Sequence, residues 1–435
     1  MSRVLVTGGA GFIGSHVVDR LLAAGHEPVV LDIRPSPHHD TRDVDTRIAD
    51  VRDPDAVRRA MRGCDAVAHL AAAADVGEVE SEPADAEQLN ARGTLNVLQA
   101  AREAGVERVL YASTIWVYSA AGNGALVDEE TPLGAPAHLY TATKLAGELY
   151  CRAYAELYGV ETTILRFGIP YGPRARPAAV LPSFVGRALA GEPLTVAGTG
   201  EQTRRFVYVE DLADGVVAAL DPVAANRTYN LVGSEDVSVR EIAATVAELV
   251  GDTRIVHVPG RAGDLGSVAV CAERAARELG WRARTTFREG AARYVDWHRR
   301  EPPAVPAAPD SPPGPSRYRV LGQTAAVAVV ALVAGAIAAA LARVEALSDP
   351  ASFLGTMVLL GVPVALLARV DWARDRRRGA LVAITMLGGA LLTAVIWPNT
   401  VHMVHLAREH VTLLVLMAAA AGGVLAARGL RAAQR

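Results

Sequence analysis

An excess of one charge sign and a cysteine framework are missing from this 435-residue chain, no leader is expected, and each absence narrows the field. Lysine and arginine (44) nearly balance aspartate and glutamate (47), for a net charge of −3. That balance leaves no basic footprint for nucleic acid, and none is expected as a partner. The three cysteines, Cys64, Cys151 and Cys271, are scattered, with no CxxC pair. A disulfide framework is thereby excluded, and reduced thiols in a cytosolic compartment fit better. The N-terminus has no basic segment ahead of a long apolar core, so a signal peptide is not expected. The length argues for more than one domain.

What is present begins at once. Val4-Leu5-Val6-Thr7-Gly8-Gly9-Ala10-Gly11-Phe12-Ile13-Gly14 reads as a short strand whose glycines open a helix, continuing to Leu22 and stopping at Gly25. Gly8 permits a tight turn, Gly11 lets a pyrophosphate approach the backbone, and Gly14 lets the helix sit close to the strand. A bare glycine triplet is a weak sign. Here a second apolar strand, Pro28-Val29-Val30-Leu31, ends in Asp32, about twenty residues on, where a carboxylate would hold an adenosine ribose. An acid there repels a 2′-phosphate and favours NAD over NADP, although Arg34 nearby weakens the preference. Phe12 and Ile13 in the turn, and Ala71 at the end of the buried strand Ala66–Ala71, join the expected cofactor contacts. Asp50-Val51, after Arg47-Ile48-Ala49, is placed beside the adenine ring by its context, since acid–apolar pairs are common at strand ends.

Strands and helices alternate through the first 170 residues or so, with further strands at Arg108–Ser113 and Thr162–Arg166. The expected fold class is therefore α/β, a doubly wound parallel sheet of the Rossmann kind with a small C-terminal substrate subdomain. The chemistry centres on Tyr140-Thr141-Ala142-Thr143-Lys144. Tyrosine and lysine four apart on a helix share a face, so the ammonium is expected to lower the phenol's pKa toward physiological pH. Ser113-Thr114 ends a strand and can bring a hydroxyl to the same reacting oxygen.

Together TGGAGFIG, Asp32, ASTIWVY, YTATK and LRFGIPYGP resemble the extended short-chain dehydrogenase/reductase superfamily, in its NAD-dependent epimerase/dehydratase branch. The resemblance covers about residues 3–298 and implies an NAD-dependent enzyme acting on a nucleotide sugar, as a homodimer. It places catalysis on Thr114, Tyr140 and Lys144 and puts Asn90 near the cofactor, although asparagine is also a good helix cap. It implies that Arg204, in GEQTRRFVYV, and Arg261, in PGRAGD, grip a diphosphate, with Asp264 supporting the nucleotide. Two departures follow. Ile169 stands where the family often has asparagine, so one diphosphate contact is missing. Dehydratases carry an Asp-Glu pair, and nucleotide-sugar decarboxylases a glutamate, where this chain has Ile115-Trp116. Without those acids, elimination and decarboxylation lose their acid/base group. Epimerisation or simple oxidoreduction remains.

Residues 1–300 are expected to form this catalytic domain, its substrate subdomain lying mainly at 170–200 and 228–298. A proline-rich linker at 301–317 follows, and 318–435 is expected to be a membrane domain. Its four helices are placed near 320–342, 352–368, 379–397 and 411–428, apolar on every face rather than amphipathic. His402, His405 and His410 lack cysteine or acid support, His38-His39 reads as a solvated turn, and no metal is expected. Arginines crowd residues 368–379 and 428–435 but are nearly absent from the two opposing loops. With four spans, the positive-inside rule then puts the catalytic domain and the C-terminus in the cytoplasm of a multi-pass membrane protein. A reporter fused after Arg435 is expected to read cytoplasmic; an external signal would require an odd number of spans.

Overall fold

In the computed structural model the chain divides into two compact units, Met1–Val305 and Pro306–Arg435. The structure describes residues 1–301 apart from 123, 252 and 260–267. The four expected membrane helices, the linker beyond Glu301, the three late histidines, Arg261 and Asp264 lie outside the described residues. Among those described, no helix is long and apolar enough to cross a membrane, and no cluster of metal-ligating side chains occurs.

Seven strands form the main sheet: β1 (Arg3–Thr7), β2 (Glu27–Asp32), β3 (Asp45–Ile48), β4 (Ala66–His69), β5 (Arg108–Thr114), β6 (Glu161–Phe167) and β7 (Arg227–Leu231). Their order is β3-β2-β1-β4-β5-β6-β7, and every neighbouring pair is parallel. The period-2 alternation of a strand sorts its side chains onto two cores. Val4, Val6 and Val30 face one core, shared with Val17, Val18 and Leu21 of the helix Phe12–Ala23. Leu5, Val29 and Leu31 face the other, beneath the helices Pro54–Met61, Gly93–Ala104 and Leu139–Tyr158. Burial on both faces explains why the strands read as unbroken apolar runs. Chain order reverses between β1 and β4, the crevice where such sheets bind ligands.

A smaller sheet pairs Thr203–Tyr208 in parallel with Ile169–Tyr171 and antiparallel with Asp236–Ser238. Its core, with Phe206, Tyr208 and Val237, packs under the last described helix, Phe287–Arg300. One expected boundary needs correction. Residues 228–231 belong to β7 at the edge of the main sheet, because Arg227 to Leu231 pair with Thr163 to Phe167.

A buried ion pair ties the main sheet to the helix above it. Arg166 of β6 is 1% exposed, and its Nε and Nη2 reach the two Glu148 carboxylate oxygens at 2.9 and 2.7 Å. Ser113 donates to the same carboxylate at 2.6 Å. Arg166 Nη1 donates to the Tyr118 hydroxyl, which donates to Asn230 Oδ1. Arg166→Met would leave Glu148 buried without its main partner and is expected to cost about 3–5 kcal/mol in urea unfolding. Replacing Arg166 and Glu148 together by apolar residues is expected to cost less; an equal loss would mean that the pair itself is not the source.

Candidate active site

The site begins at the glycine turn between β1 and the helix Phe12–Ala23. Gly8 has φ +71°, open to glycine but strained for other residues, and a Cβ at Gly14 would sit 2.1 Å from the Gly8 carbonyl oxygen. Gly11 is the helix N-cap and has no side chain to cap it, so the first-turn N–H groups face the crevice with the helix dipole behind them. Asp32, at the end of β2, accepts from Ala10 N–H at 3.1 Å and from Arg34 N–H at 3.3 Å. Turn, bare helix terminus and acid are a donor set that fits a dinucleotide. Val51 is buried and packs against Gly93, where a Cβ would meet its methyl group at 2.9 Å. The Asp50 carboxylate is engaged by the Arg52 guanidinium at 2.6 Å, which lowers its pKa.

Beneath this turn lies a directed chain of hydrogen bonds. Thr7 Oγ1 accepts from the N–H groups of Leu70 and Ala71, both at 3.2 Å, so its own proton goes to His69 Nδ1 at 2.7 Å. His69 Nε2 then carries the hydrogen and donates to Thr94 Oγ1 at 3.0 Å, and Thr94 donates to the Asn90 carbonyl. Asn90 is therefore not a helix cap. It lies in a π-turn, Gln88–Arg92, where its side chain pairs with both backbone groups of Ala73 and donates to Thr143 Oγ1 at 3.0 Å. The loop after β4, Ala71 included, is thus clamped to the helix that bears Tyr140 and Lys144.

Thr114 closes β5, and its hydroxyl lies near enough to the Tyr140 phenol on the facing helix Leu139–Tyr158 to lower that phenol's pKa. Burial, more than Lys144, governs that phenol here. Burial pushes the Tyr140 phenol up to about 12, against the opposing pull of Thr114 and of the Arg176 charge. Lys144 is itself buried, donates to the Ala112 carbonyl at 2.9 Å and lies 5.3 Å from the centre of the Tyr111 ring. Desolvation lowers its pKa to about 8. In this state the helical spacing brings tyrosine and lysine to one side, but a carbonyl, not the phenol, holds the amine.

Two residues that sequence reasoning passed over, His138 and Arg176, join Trp116 around the pair. His138 caps the tyrosine helix, its Nδ1 accepting from Thr141 N–H at 3.2 Å, and stacks on Tyr140 with ring centres 6.0 Å apart. Histidine is not a favoured cap, so nothing in the local pattern pointed to it. Trp116 packs edge-on against His138 at 5.3 Å, and the Arg204 guanidinium lies 5.6 Å from the centre of the indole ring. Arg176 pairs with Asp75 at 2.9 Å, joining the loop after Tyr171 to the loop after β4.

A Rossmann sheet with a Thr–Tyr–Lys constellation beside a dinucleotide cradle defines an enzyme of the short-chain dehydrogenase/reductase type. The chain matches the NAD dependent epimerase/dehydratase family over residues 4–232 and belongs to it. It is 34% identical over 310 residues to the UDP-glucose 4-epimerase of Mycolicibacterium smegmatis, covering 68% of this chain and 98% of that protein. It is also 34% identical over 269 residues to a UDP-N-acetyl-alpha-D-glucosaminuronate decarboxylase of Bacillus cytotoxicus, over 59% of this chain and 83% of the other. The solved UDP-glucose 4-epimerase of Thermus thermophilus, complexed with NAD, superposes with a TM-score of 0.63 at 36% identity, over 68% of this chain and 99% of that one. The cofactor of this enzyme is NAD.

His69 supplies a pH test of the cradle. Burial holds its pKa down at about 3, against 6.5 in an unfolded chain. The unfolded chain binds this proton below pH 6.5 while the folded one refuses it, so stability falls as pH drops from about 6.5 toward 3. His16, held at about 4, acts in the same direction. His69→Asn is expected to lower the melting temperature at pH 8 yet to give a shallower decline between about pH 6.5 and 4. Parallel declines would place the acid sensitivity elsewhere.

Proposed function

We propose that the chain is a membrane-tethered, NAD-dependent nucleotide-sugar epimerase, of the UDP-sugar 4-epimerase type. The observation that carries this reading is Thr114 beside the Tyr140 phenol, followed two residues on by an indole and not a carboxylate. Identity alone does not choose, since the epimerase and the decarboxylase are equally similar. Trp116 has no acidic proton to give, which leaves elimination and decarboxylation without their acid or base.

NAD, when bound, takes a hydride from the sugar carbon and returns it. The protein's part is to move a proton and hold the substrate. Tyr140 takes the proton of the sugar hydroxyl as that carbon is oxidised, and Thr114 donates a hydrogen bond to the developing keto oxygen. Lys144 leaves the Ala112 carbonyl to hold the cofactor ribose and brings its positive charge toward Tyr140, opposing the burial that keeps the phenol protonated. The keto sugar turns over, and Tyr140 returns the proton on completion. Arg204 and Arg261 hold the diphosphate in charge-assisted bonds, with Asp264 on the nucleotide. The second unit anchors the enzyme to the membrane with the catalytic domain on the cytoplasmic side, and the catalytic domains pair as a homodimer.

Tyr140→Phe is expected to lower turnover of UDP-glucose to UDP-galactose by about 10²–10⁴-fold with NAD retained, and Thr114→Ala by less. The assay is coupled detection of the epimer with NADH followed in parallel. Near-normal turnover in Tyr140→Phe would remove Tyr140 as the base. Steady NADH release on a lipid-like alcohol, without epimer formation, would favour a dehydrogenase instead.

A further inference from the structure

Two separate parts of the fold must act on one substrate. Thr114 and Tyr140 stand on the main sheet and its covering helix, whereas Arg204 stands on the smaller sheet, paired with Val237 across the strand Asp236–Ser238. Trp116 touches the residues of both. Its backbone N–H donates to Thr114 Oγ1 at 3.3 Å, starting the short helical turn Ile115–Tyr118. Ile115, Val117 and Tyr118 of that turn are buried, and the Tyr118 hydroxyl is held between Arg166 and Asn230. The turn is therefore fixed, and the half-buried indole it projects is braced on one side by His138, the residue that caps the Tyr140 helix. On another side lies the Arg204 guanidinium, which also donates to the Thr203 carbonyl at 2.8 Å.

We propose that Trp116 is a positioning residue that holds Arg204 at a set offset from the Thr114–Tyr140 pair, so that a diphosphate gripped by Arg204 presents the right sugar carbon to Tyr140. The inference rests on the nucleotide-sugar reading of the site. An indole face is the strongest aromatic partner for a guanidinium, and the pairing gains as the contact loses water. It steers the cation without neutralising it, which a carboxylate at the same place would not do. A glutamate beside Arg204 would form an ion pair and compete with phosphate for the guanidinium. Trp116 fixes where that charge sits and does not itself compete with an anion for it. During epimerisation the keto sugar must turn over while its nucleotide stays anchored, so the offset between anchor and base has to be held through the whole cycle.

The test is a double-mutant cycle on the full chain, reading UDP affinity by calorimetry and kcat and KM with UDP-glucose. A cation–π contact of this kind corresponds to about two- to thirty-fold in affinity. Trp116→Ala is expected to weaken UDP by that factor, to raise KM in step, and to lower kcat as the sugar is presented off line. Trp116→Phe, which keeps an aromatic face, is expected to recover most of both. In the Trp116→Ala background, Arg204→Ala is expected to cost clearly less than it does alone, because the contact has already gone. Full additivity, or a phenylalanine variant as impaired as the alanine one, would overturn the assignment and leave Trp116 as packing. If the wild type binds no UDP, the nucleotide-sugar reading falls first, a result distinguishable from additivity in a protein that does bind it.

Discussion

A neutral imidazole holds the cofactor edge of this protein together. His69 sits at the end of β4, beside β1 where the order of strands reverses, and it is shut away from water. Its two ring nitrogens must play opposite parts, one accepting from Thr7 and one donating to Thr94. An imidazolium, with two donors, would leave the Thr7 hydroxyl facing a second donor with no acceptor between them. The neutral state is thus a condition for the geometry. From Thr7 the constraint passes to the backbone of Leu70 and Ala71, and from Thr94 to the π-turn that carries Asn90. Asn90 then reaches Thr143, one residue before Lys144. A single protonation state therefore sets the loop after β4, the floor of the cradle and the placement of the tyrosine helix.

Behind that edge the helix is pinned a second time, four residues beyond Lys144. Glu148 takes Arg166 in a two-pronged pair and Ser113 as a third donor, all of them buried. Charges this far from water stabilise little on balance, because desolvation offsets most of their attraction. What they contribute is direction. Lys144 and Glu148 share a helical face, so fixing the carboxylate fixes the roll of the helix and with it the positions of Lys144 and Tyr140. Dry surroundings have an opposite effect on the reacting groups, raising the Tyr140 phenol to about 12 and lowering the Lys144 amine to about 8. Both shifts favour the neutral forms. An amine near 8 still carries its proton at neutral pH, so Lys144 keeps a positive charge close to the helix that bears Tyr140.

How much of this was legible in the sequence depends on the range of each interaction. The glycine turn, Asp32 at a strand end and the four-residue spacing of Tyr140 and Lys144 are local patterns: the turn follows β1, Asp32 closes β2, and Tyr140 and Lys144 fall on one helix. The parallel sheet was equally readable, since Leu5 and its neighbours Val4 and Val6 are buried on opposite faces and only an apolar run can satisfy both. What local pattern could not carry was the identity of distant partners. Arg166 read only as a strand end within a family segment, yet its partner is Glu148 on the helix before it. The Lys144 amine meets Ala112, a backbone carbonyl that no side-chain motif records. Residues 228–231 read as part of the substrate subdomain, and only the pairing of Arg227–Leu231 with β6 shows where they belong.

Trp116 is the residue that a motif search reads as a gap. Trp116 registers first as a missing acid. In space it is a filled position, packed against His138 and lying under Arg204. An acid at this point would serve two masters, a proton transfer at the sugar and the nearby guanidinium. An indole serves the second without perturbing the first. Removing a titratable group from beside the substrate also leaves the reacting oxygen to the hydroxyls of Tyr140 and Thr114. The outcome of an oxidised sugar is then governed by what can act on it next. On the epimerase reading proposed above, no carboxylate at this position draws off a proton from a neighbouring carbon, and return of the hydride is the route left open.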